Sequence, residues 1–105
     1  MNIRDLLKRG AAFNADREAV VYGERRLSFA DAWDRGVRMA NGLLAMGAEP
    51  GDRVAVLEDN CLESVDFLLG MAIAGLVRIP LFAPNWRESH AQMLRSSNYL
   101  CLIHI

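Results

Sequence analysis

The sequence predicts an α/β fold, in which a short hairpin is followed by a parallel β-α-β-α-β unit. Compact β-branched runs alternate with segments whose apolar residues recur at three- and four-residue spacing, and the connections between them are short. At 105 residues the chain forms one domain at most. Hydrophobic residues make up 52% of it and charged residues 24%, which is typical of a globular protein.

The first part of the chain predicts a helix and then a hairpin. Residues 3–9 place their apolar side chains on one face, and Asn2 precedes them as a helix cap. The next stretch, "EAVVYGERRLSF", alternates around a Gly23-Glu24 turn. We therefore expect Ala19–Tyr22 to pair with Arg26–Leu27.

A long amphipathic helix is predicted over residues 29–46. Ser28 is followed three residues later by Asp31, which is a capping-box pattern. Behind this cap, apolar residues recur at helical spacing: Phe29, Trp33, Val37, Ala40 and Leu44. Gly47 follows the last turn, where a left-handed backbone ends a helix, and "EPGD" then predicts a turn.

Three strands and two helices follow in alternation. The β-branched run at residues 53–58 predicts a strand, and a helix follows over residues 61–74. A second strand is expected at residues 76–82, a helix at 86–96 and a last strand at Tyr99–Ile105. Strands joined by single helices are almost always parallel, so we expect a parallel sheet with helices on both faces.

The last predicted strand, Tyr99–Ile105, would lie at an edge of the sheet with no helix after it. Edge strands usually carry Lys or Pro, which hinder pairing with other chains, and this one has neither. Two interpretations stay open: an exposed edge that pairs with another strand, or an interior strand of a longer chain. The second fits better, because parallel strands are normally buried on both faces.

The polar residues best placed for a binding site are Glu58, Asp59 and Asn60, at the end of the first parallel strand. In open α/β sheets, ligands bind beyond the carboxyl ends of the strands. A carboxylate here would bind a ribose hydroxyl or act as a base. Capping of the next helix by Asn60 explains the same residues, and we favour it because Asn is among the commonest helix caps.

Neither a metal site nor a disulfide framework is predicted. Cys61 and Cys101 lie 40 positions apart without a CxxC pattern, and neither His90 nor His104 stands at ligand spacing from them. Cys61, in the first turn of a predicted helix, is open to two interpretations. It is either a reactive thiol or a small half-buried residue, and we favour the second.

The motifs of phosphate binding and of nucleophilic catalysis are missing from the sequence. Neither a Gly-rich phosphate loop nor a GxSxG pattern occurs. Trp33 and Trp86 stand without interleaved basic residues, which favours a place in the core or at an interface over a stacking platform. We assign no catalytic, cofactor-binding or metal-binding residue from the sequence.

Charge and hydropathy argue against two classes of partner. The net charge is −1 and the twelve Lys and Arg residues are scattered, so we expect no nucleic acid partner. The longest apolar run, Phe67–Val77, is about half of the roughly 20 residues that a membrane-spanning helix needs. The first residues lack the apolar stretch of a secretory leader. We expect a cytoplasmic protein without a transmembrane segment.

The motifs "VVYGERRLSF", "GDRVAV" and "AGLVRIPL" follow one another in an ordered series that covers about residues 17–98. This series resembles the opening of the adenylate-forming acyl-CoA synthetases, the AMP-binding family. Each motif alone is weak, whereas their order is specific. The matching residues are Gly23, Arg26, Leu27, Ser28, Phe29, Asp31, Leu44, Gly47, Gly51, Asp52, Arg53, Val54, Ala55, Asn60, Phe67, Gly70, Ala74, Gly75, Pro80 and Leu81.

The resemblance implies that residues 1–105 form an incomplete N-terminal part of an AMP-binding synthetase or ligase. Full-length members use ATP and Mg²⁺ to activate a carboxylic or fatty acid as an acyl-adenylate, which then reacts with a thiol such as coenzyme A. Their phosphate loop, nucleotide-contacting motifs and catalytic Lys lie beyond the position that corresponds to Ile105, so no functional residue transfers. We therefore expect no cofactor and no catalysis for this chain alone.

The resemblance weakens at "SSNYLCLIHI", where the final strand matches in position more than in letters. One interpretation is that Tyr99–Ile105 is an interior strand of a larger enzyme. Another is a stand-alone interaction or regulatory module, which pairs this edge with a partner strand. A third, an independent nucleotide-binding domain, is disfavoured by the missing Gly-rich loop.

Overall fold

The computed structural model describes residues 2–58, 61–82, 87–97 and 101–104. Within these ranges the helices and strands follow in the predicted order: α1 (Ile3–Phe13), β1 (Glu18–Tyr22), β2 (Arg25–Ser28), α2 (Phe29–Ala45), β3 (Arg53–Glu58), α3 (Leu62–Ala74), β4 (Val77–Phe82), α4 (Arg87–Ser97) and β5 (Cys101–His104). The predicted α/β class, with a hairpin before a β-α-β-α-β unit, is confirmed.

The parallel sheet has the strand order β4-β3-β5, with β3 at its centre. Val54 of β3 pairs with Arg78 of β4 on one side and with Cys101 of β5 on the other, and both pairings are parallel. The chain moves from β3 out to β4 and then back across β3 to β5. Right-handed crossovers therefore place α3 and α4 on opposite faces of the sheet, as expected for this unit.

The hairpin pairs β1 with β2 in an antiparallel sheet, which confirms the sequence prediction. Gly23 has a φ of 60°, a left-handed conformation that suits glycine in the turn between the two strands. The register shifts between Glu18 and Val20, so that Ala19 forms a bulge. The alternation of side chains along β1 is consequently interrupted at this point.

The first helix is four residues longer than predicted. Asn2 and Asp5 form the predicted N-terminal cap in reciprocal fashion, because the Asn2 side chain accepts from the Asp5 backbone N–H and the Asp5 carboxylate accepts from the Asn2 N–H. The helix continues through Gly10, whose carbonyl accepts from the Asn14 N–H at 2.9 Å. Gly10 also lies 3.8 Å from the ring of Phe29, measured from where a Cβ would be.

The cap of α3 differs from the sequence prediction. The helix begins at Leu62 with Cys61 as its N-cap, whereas Asn60 was expected to cap it and lies outside the described residues. Cys61 has an extended backbone, with φ −155° and ψ 169°, and its side chain makes no capping hydrogen bond. Because the backbone turns helical only after Cys61, the cap falls one residue later than Asn60.

Two turns, each with one glycine, hold the start of β3 next to the start of β4. Gly51 and Gly75 both have left-handed backbones, with φ values of 91° and 74°. The Gly51 N–H donates to the Gly75 carbonyl at 2.8 Å, and the Val77 N–H donates to the Asp52 carbonyl at 2.8 Å. The Asp52 carboxylate also accepts from the Glu49 N–H at 2.8 Å. These bonds set the register in which the two strands pair.

The hydrophobic core lies between α2, α3 and the parallel sheet. Its buried members are Ala40, Leu43, Val54, Val56, Met71, Ala74 and Leu76. Helices α2 and α3 cross at two glycines. A Cβ at Gly70 would lie 2.5 Å from Met39 Cγ and 3.2 Å from the Ala40 backbone nitrogen, and a Cβ at Gly36 would lie 2.9 Å from Ile73 Cδ1. The two helix backbones therefore approach closely because side chains are missing at both points.

We predict that Gly70→Ala lowers the free energy of unfolding by about 1–3 kcal/mol, because the added methyl group overpacks the crossing. Gly42→Ala is the matched control on α2, since no other described atom lies within 4 Å of its Cβ position. The control should stabilise the chain by up to about 1 kcal/mol through a lower entropy of the unfolded state. Urea unfolding of both variants checks this, and equal stabilities would contradict the crossing described above.

Candidate functional site

The carboxyl ends of the three parallel strands meet at one edge of the sheet. Glu58 ends β3, Phe82 ends β4 and His104 ends β5. Asp59 and Asn60, which the sequence places after Glu58, lie outside the described residues. The interpretation that a carboxylate of this stretch binds a ribose hydroxyl or acts as a base therefore stays a prediction.

A cluster of polar side chains surrounds the start of α3, next to this edge. The Cys61 Sγ lies 3.3 Å from the Ser64 Oγ, so that one of the two groups donates to the other. The guanidinium of Arg25, on β2, donates to the Glu63 Oε1 at 3.4 Å. The hairpin is thus linked to the first turn of α3.

The pKa of Glu63 is lowered from its ordinary value. The chief cause is a hydrogen bond from its own backbone N–H; burial opposes the shift, and the side chains of Cys61 and Arg25 add to it. A lowered pKa favours the carboxylate in the folded state. Its contribution to stability is therefore present above the ordinary pKa of a Glu side chain, and it is lost as the pH falls through the lowered value.

The cluster lacks the arrangement that activates a nucleophile. A catalytic thiol needs a strong general base within hydrogen-bond reach. Cys61 contacts the Ser64 hydroxyl and the Glu63 carboxylate, and the lowered pKa of Glu63 makes that carboxylate a weak base. Cys61 is half-buried, which agrees with the interpretation of this residue as a small partly buried side chain. His90 lies on α4 and Cys101 and His104 lie on β5. Within the described ranges, no three His, Cys, Asp or Glu residues are grouped to hold a metal ion.

An ion pair that the sequence analysis missed joins α2 to α3. The Arg35 Nε donates to the Asp66 Oδ1 at 2.8 Å, and the Arg35 Nη2 donates to the Asp66 Oδ2 at 2.6 Å. The Asp66 side chain is 11% exposed and that of Arg35 is 33% exposed. The hydrogen bond to Asp66 raises the pKa of Arg35, and burial opposes this shift. The signal in the sequence for this pair was a single carboxylate, Asp66, directly before the apolar run Phe67–Val77.

The remaining predicted positions are the two tryptophans, for which a place in the core or at an interface was expected. Trp33 is half-buried and lines an apolar cavity, in agreement with a place in the core or at an interface. Trp86 lies outside the described residues. In the part of the chain that the structure covers, every helix is too short or too polar to cross a membrane.

Comparison with known proteins identifies relatives for almost the entire chain. Residues 7–104 match the model of a family described as AMP-binding enzyme. A feruloyl-CoA synthase from an Amycolatopsis species is 40% identical over 99 residues, which are 91% of this chain and 20% of the synthase. The nonribosomal peptide synthetase pboA of Aspergillus ustus is 35% identical over 77 residues, which are 72% of this chain and 4% of the synthetase.

The fold also has a counterpart among solved structures. The N-terminal subdomain of NpsA from Klebsiella oxytoca superposes with a TM-score of 0.94 at 19% identity, over 98% of this chain and 27% of that one. At this identity the likeness concerns the fold alone. The chain spans a fifth or less of the length of the curated relatives named above.

We predict that Asp66→Asn destabilises the chain because it leaves the Arg35 guanidinium without its charged partner. Breaking a fully buried pair costs about 3–5 kcal/mol; since a third of the Arg35 side chain meets water, we expect about 1–3 kcal/mol here. The double variant Arg35→Met with Asp66→Leu should recover most of this loss. Urea unfolding measures all three.

The matched control is Asp34→Asn, which breaks an exposed ion pair between Asp34 and Arg38 within α2. We expect it to change the free energy of unfolding by no more than about 0.5 kcal/mol. If Asp66→Asn were as mild as Asp34→Asn, the pair between the two helices would have no structural role.

Proposed function

The chain belongs to the AMP-binding enzyme family, and from that premise we propose that it is the N-terminal part of an acid–thiol ligase. The complete enzyme would use ATP and Mg²⁺ to convert a carboxylic acid to an acyl-adenylate, and would then transfer the acyl group to coenzyme A. Substrate, nucleotide and thiol are assigned to the complete enzyme. No cofactor is proposed for residues 1–105 alone.

The similarity to the feruloyl-CoA synthase carries this proposal. It extends over 91% of the chain at 40% identity, whereas the similarity to the peptide synthetase pboA covers 72% at 35% identity. Both relatives support adenylate-forming chemistry, and the match that is longer and has the higher identity favours a ligase that makes coenzyme A thioesters. A carboxylic acid is the substrate class that follows from it.

Within such an enzyme, the chain's own contribution would be structural. The described residues place two glycines, Gly36 and Gly70, and the ion pair between Arg35 and Asp66 at the crossing of α2 and α3, and they group no three His, Cys, Asp or Glu side chains as metal ligands. We therefore infer that the isolated chain does not catalyse adenylation.

We predict that this chain can replace the matching 99 residues of the Amycolatopsis feruloyl-CoA synthase. The chimera should form feruloyl-CoA with kcat/KM within about tenfold of the parent, because the replaced segment supplies packing and no reacting group. The 105-residue chain alone should give no ATP–pyrophosphate exchange with ferulate. A coupled assay of thioester formation measures the first and isotope exchange the second.

A chimera that also carries Gly70→Val is the matched control. The larger side chain would enter the crossing of α2 and α3, so this chimera should lose activity together with its cooperative thermal unfolding. Exchange activity in the isolated chain would refute the structural role. A folded chimera without thioester formation would refute the assignment to this class of ligase.

A second candidate function is strand addition at β5. Among the described residues β5 pairs with β3 alone, so one of its edges faces outward. The opposite edge strand, β4, contains Pro80, which lacks an N–H and hinders the addition of a further strand. Among the described residues the two edges of the sheet are therefore unequal, and the proline in β4 favours the β5 edge as the place of pairing. We propose a second copy of the chain as the partner at this edge.

We predict concentration-dependent dimers of the isolated chain in light scattering, and assemblies larger than dimers for Pro80→Val. The substitution restores an N–H on β4 and leaves β5 unchanged, so that both edges become available. A chain that stays monomeric at millimolar concentration would contradict this candidate, as would a Pro80→Val variant that assembles like the unmodified chain.

A further inference from the structure

An apolar cavity of about 230 Å³ lies where α1, the hairpin and the crossing helices meet. Leu7 of α1, Val20 of β1, Trp33 of α2 and Leu69 of α3 are among the residues that line it. All of its lining residues are apolar. Four separate elements of the chain line this space, which is partly open to solvent, and its apolar interior is unsuited to a charged or strongly polar group.

The bulge in β1 helps to form the cavity. Successive residues of a regular strand point to opposite faces, yet Ala19 and Val20 both line this space. The register shift between Glu18 and Val20 accounts for the exception, because a bulge redirects the side chains next to it. The small Ala19 side chain then lies at the exposed rim, while Ala32 is buried at the base with 6% of its surface exposed.

The size of the cavity indicates what could occupy it. An apolar cavity of about 150 Å³ lined by Leu, Ile and Phe stays dry and binds benzene. At about 230 Å³, the present cavity offers room for a benzene ring with a short alkyl substituent. A carboxylate placed in the interior of the cavity, among its apolar lining residues, would lose its hydration without gaining a partner, at a cost of several kcal/mol.

We propose that this cavity binds a small uncharged apolar molecule of the size of an alkylbenzene. The site is formed by residues of this chain alone and does not depend on the proposed ligase activity. It is also separate from the carboxyl edge of the parallel sheet. If the ligase proposal failed, the proposed binding site would still stand. If the binding site failed, the ligase proposal would still stand.

Ethylbenzene is the probe for this site. Phenylacetate, a charged molecule of similar size and shape, is the control ligand. In a Trp86→Phe background, Trp33 is the sole Trp and lines the cavity, so its fluorescence reports binding directly. We expect a saturable change with ethylbenzene, a Kd on the order of 0.1–1 mM, and calorimetry consistent with one site. Phenylacetate should bind at least tenfold more weakly.

Two variants fill the cavity from opposite ends, Ala32→Leu at its base and Ala19→Leu at its rim. Ala30→Leu is the matched control, since Ala30 is exposed on α2 and does not line the space. We expect both filling variants to weaken ethylbenzene binding at least tenfold and the control to leave it unchanged. Circular dichroism confirms folding, and the exposed position of Ala19 keeps the test valid if Ala32→Leu does not fold.

Three results would overturn the proposal. The first is the absence of saturable ethylbenzene binding to the folded chain. The second is equal binding by Ala19→Leu and Ala30→Leu, which would place the ligand elsewhere. The third is binding of phenylacetate as tight as that of ethylbenzene, which would contradict an uncharged site.

Discussion

The close crossing of α2 and α3 at Gly36 and Gly70 is the constraint on which the rest of the structure depends. Each glycine faces side chains of the other helix, and a Cβ at Gly70 would lie 2.5 Å from Met39 Cγ. The close approach brings Ala40 and Leu43 of α2 into the same core as the β3 side chains. One helix pair therefore determines the arrangement of the core beneath it.

The ion pair between Arg35 and Asp66 follows from the same crossing. Arg35 precedes Gly36 in α2, and Asp66 lies one helical turn before Gly70 in α3, so both charges stand beside the contact. The Arg35 guanidinium donates two hydrogen bonds to the short Asp66 side chain, and it can do so only because the helices are close. A charge pair in a largely apolar interface also disfavours other rotations of the two helices, since these would leave a buried carboxylate unpaired.

The order of helices and strands could be predicted because each has a local signal. The cap at Ser28 is confirmed by the hydrogen bond that its hydroxyl accepts from the Asp31 N–H. The cap of α3 could not be placed, because Asn60 and Cys61 both precede the same apolar run and the extended backbone at Cys61 decides between them. The pairing of Arg35 with Asp66 spans 31 positions, and no local pattern indicates which of several charged residues will meet across two helices. Several residues that carry the family resemblance form turns and close contacts, as Gly51, Gly75 and Gly70 do, and residues of this kind identify a fold without placing a reacting group.

The two glycines of the crossing are unequal in what surrounds them. A Cβ at Gly70 would meet the Ala40 backbone, whereas one at Gly36 would meet Ile73 and Leu69, which also line the apolar cavity. Side chains beside an empty space can yield, and a helix backbone cannot. Ile73 Cδ1, at the end of its side chain, can therefore move aside for a Cβ at Gly36. The Leu69 Cβ, 3.0 Å from the same position, moves only with the α3 backbone, so both glycines hold the two helices at their separation.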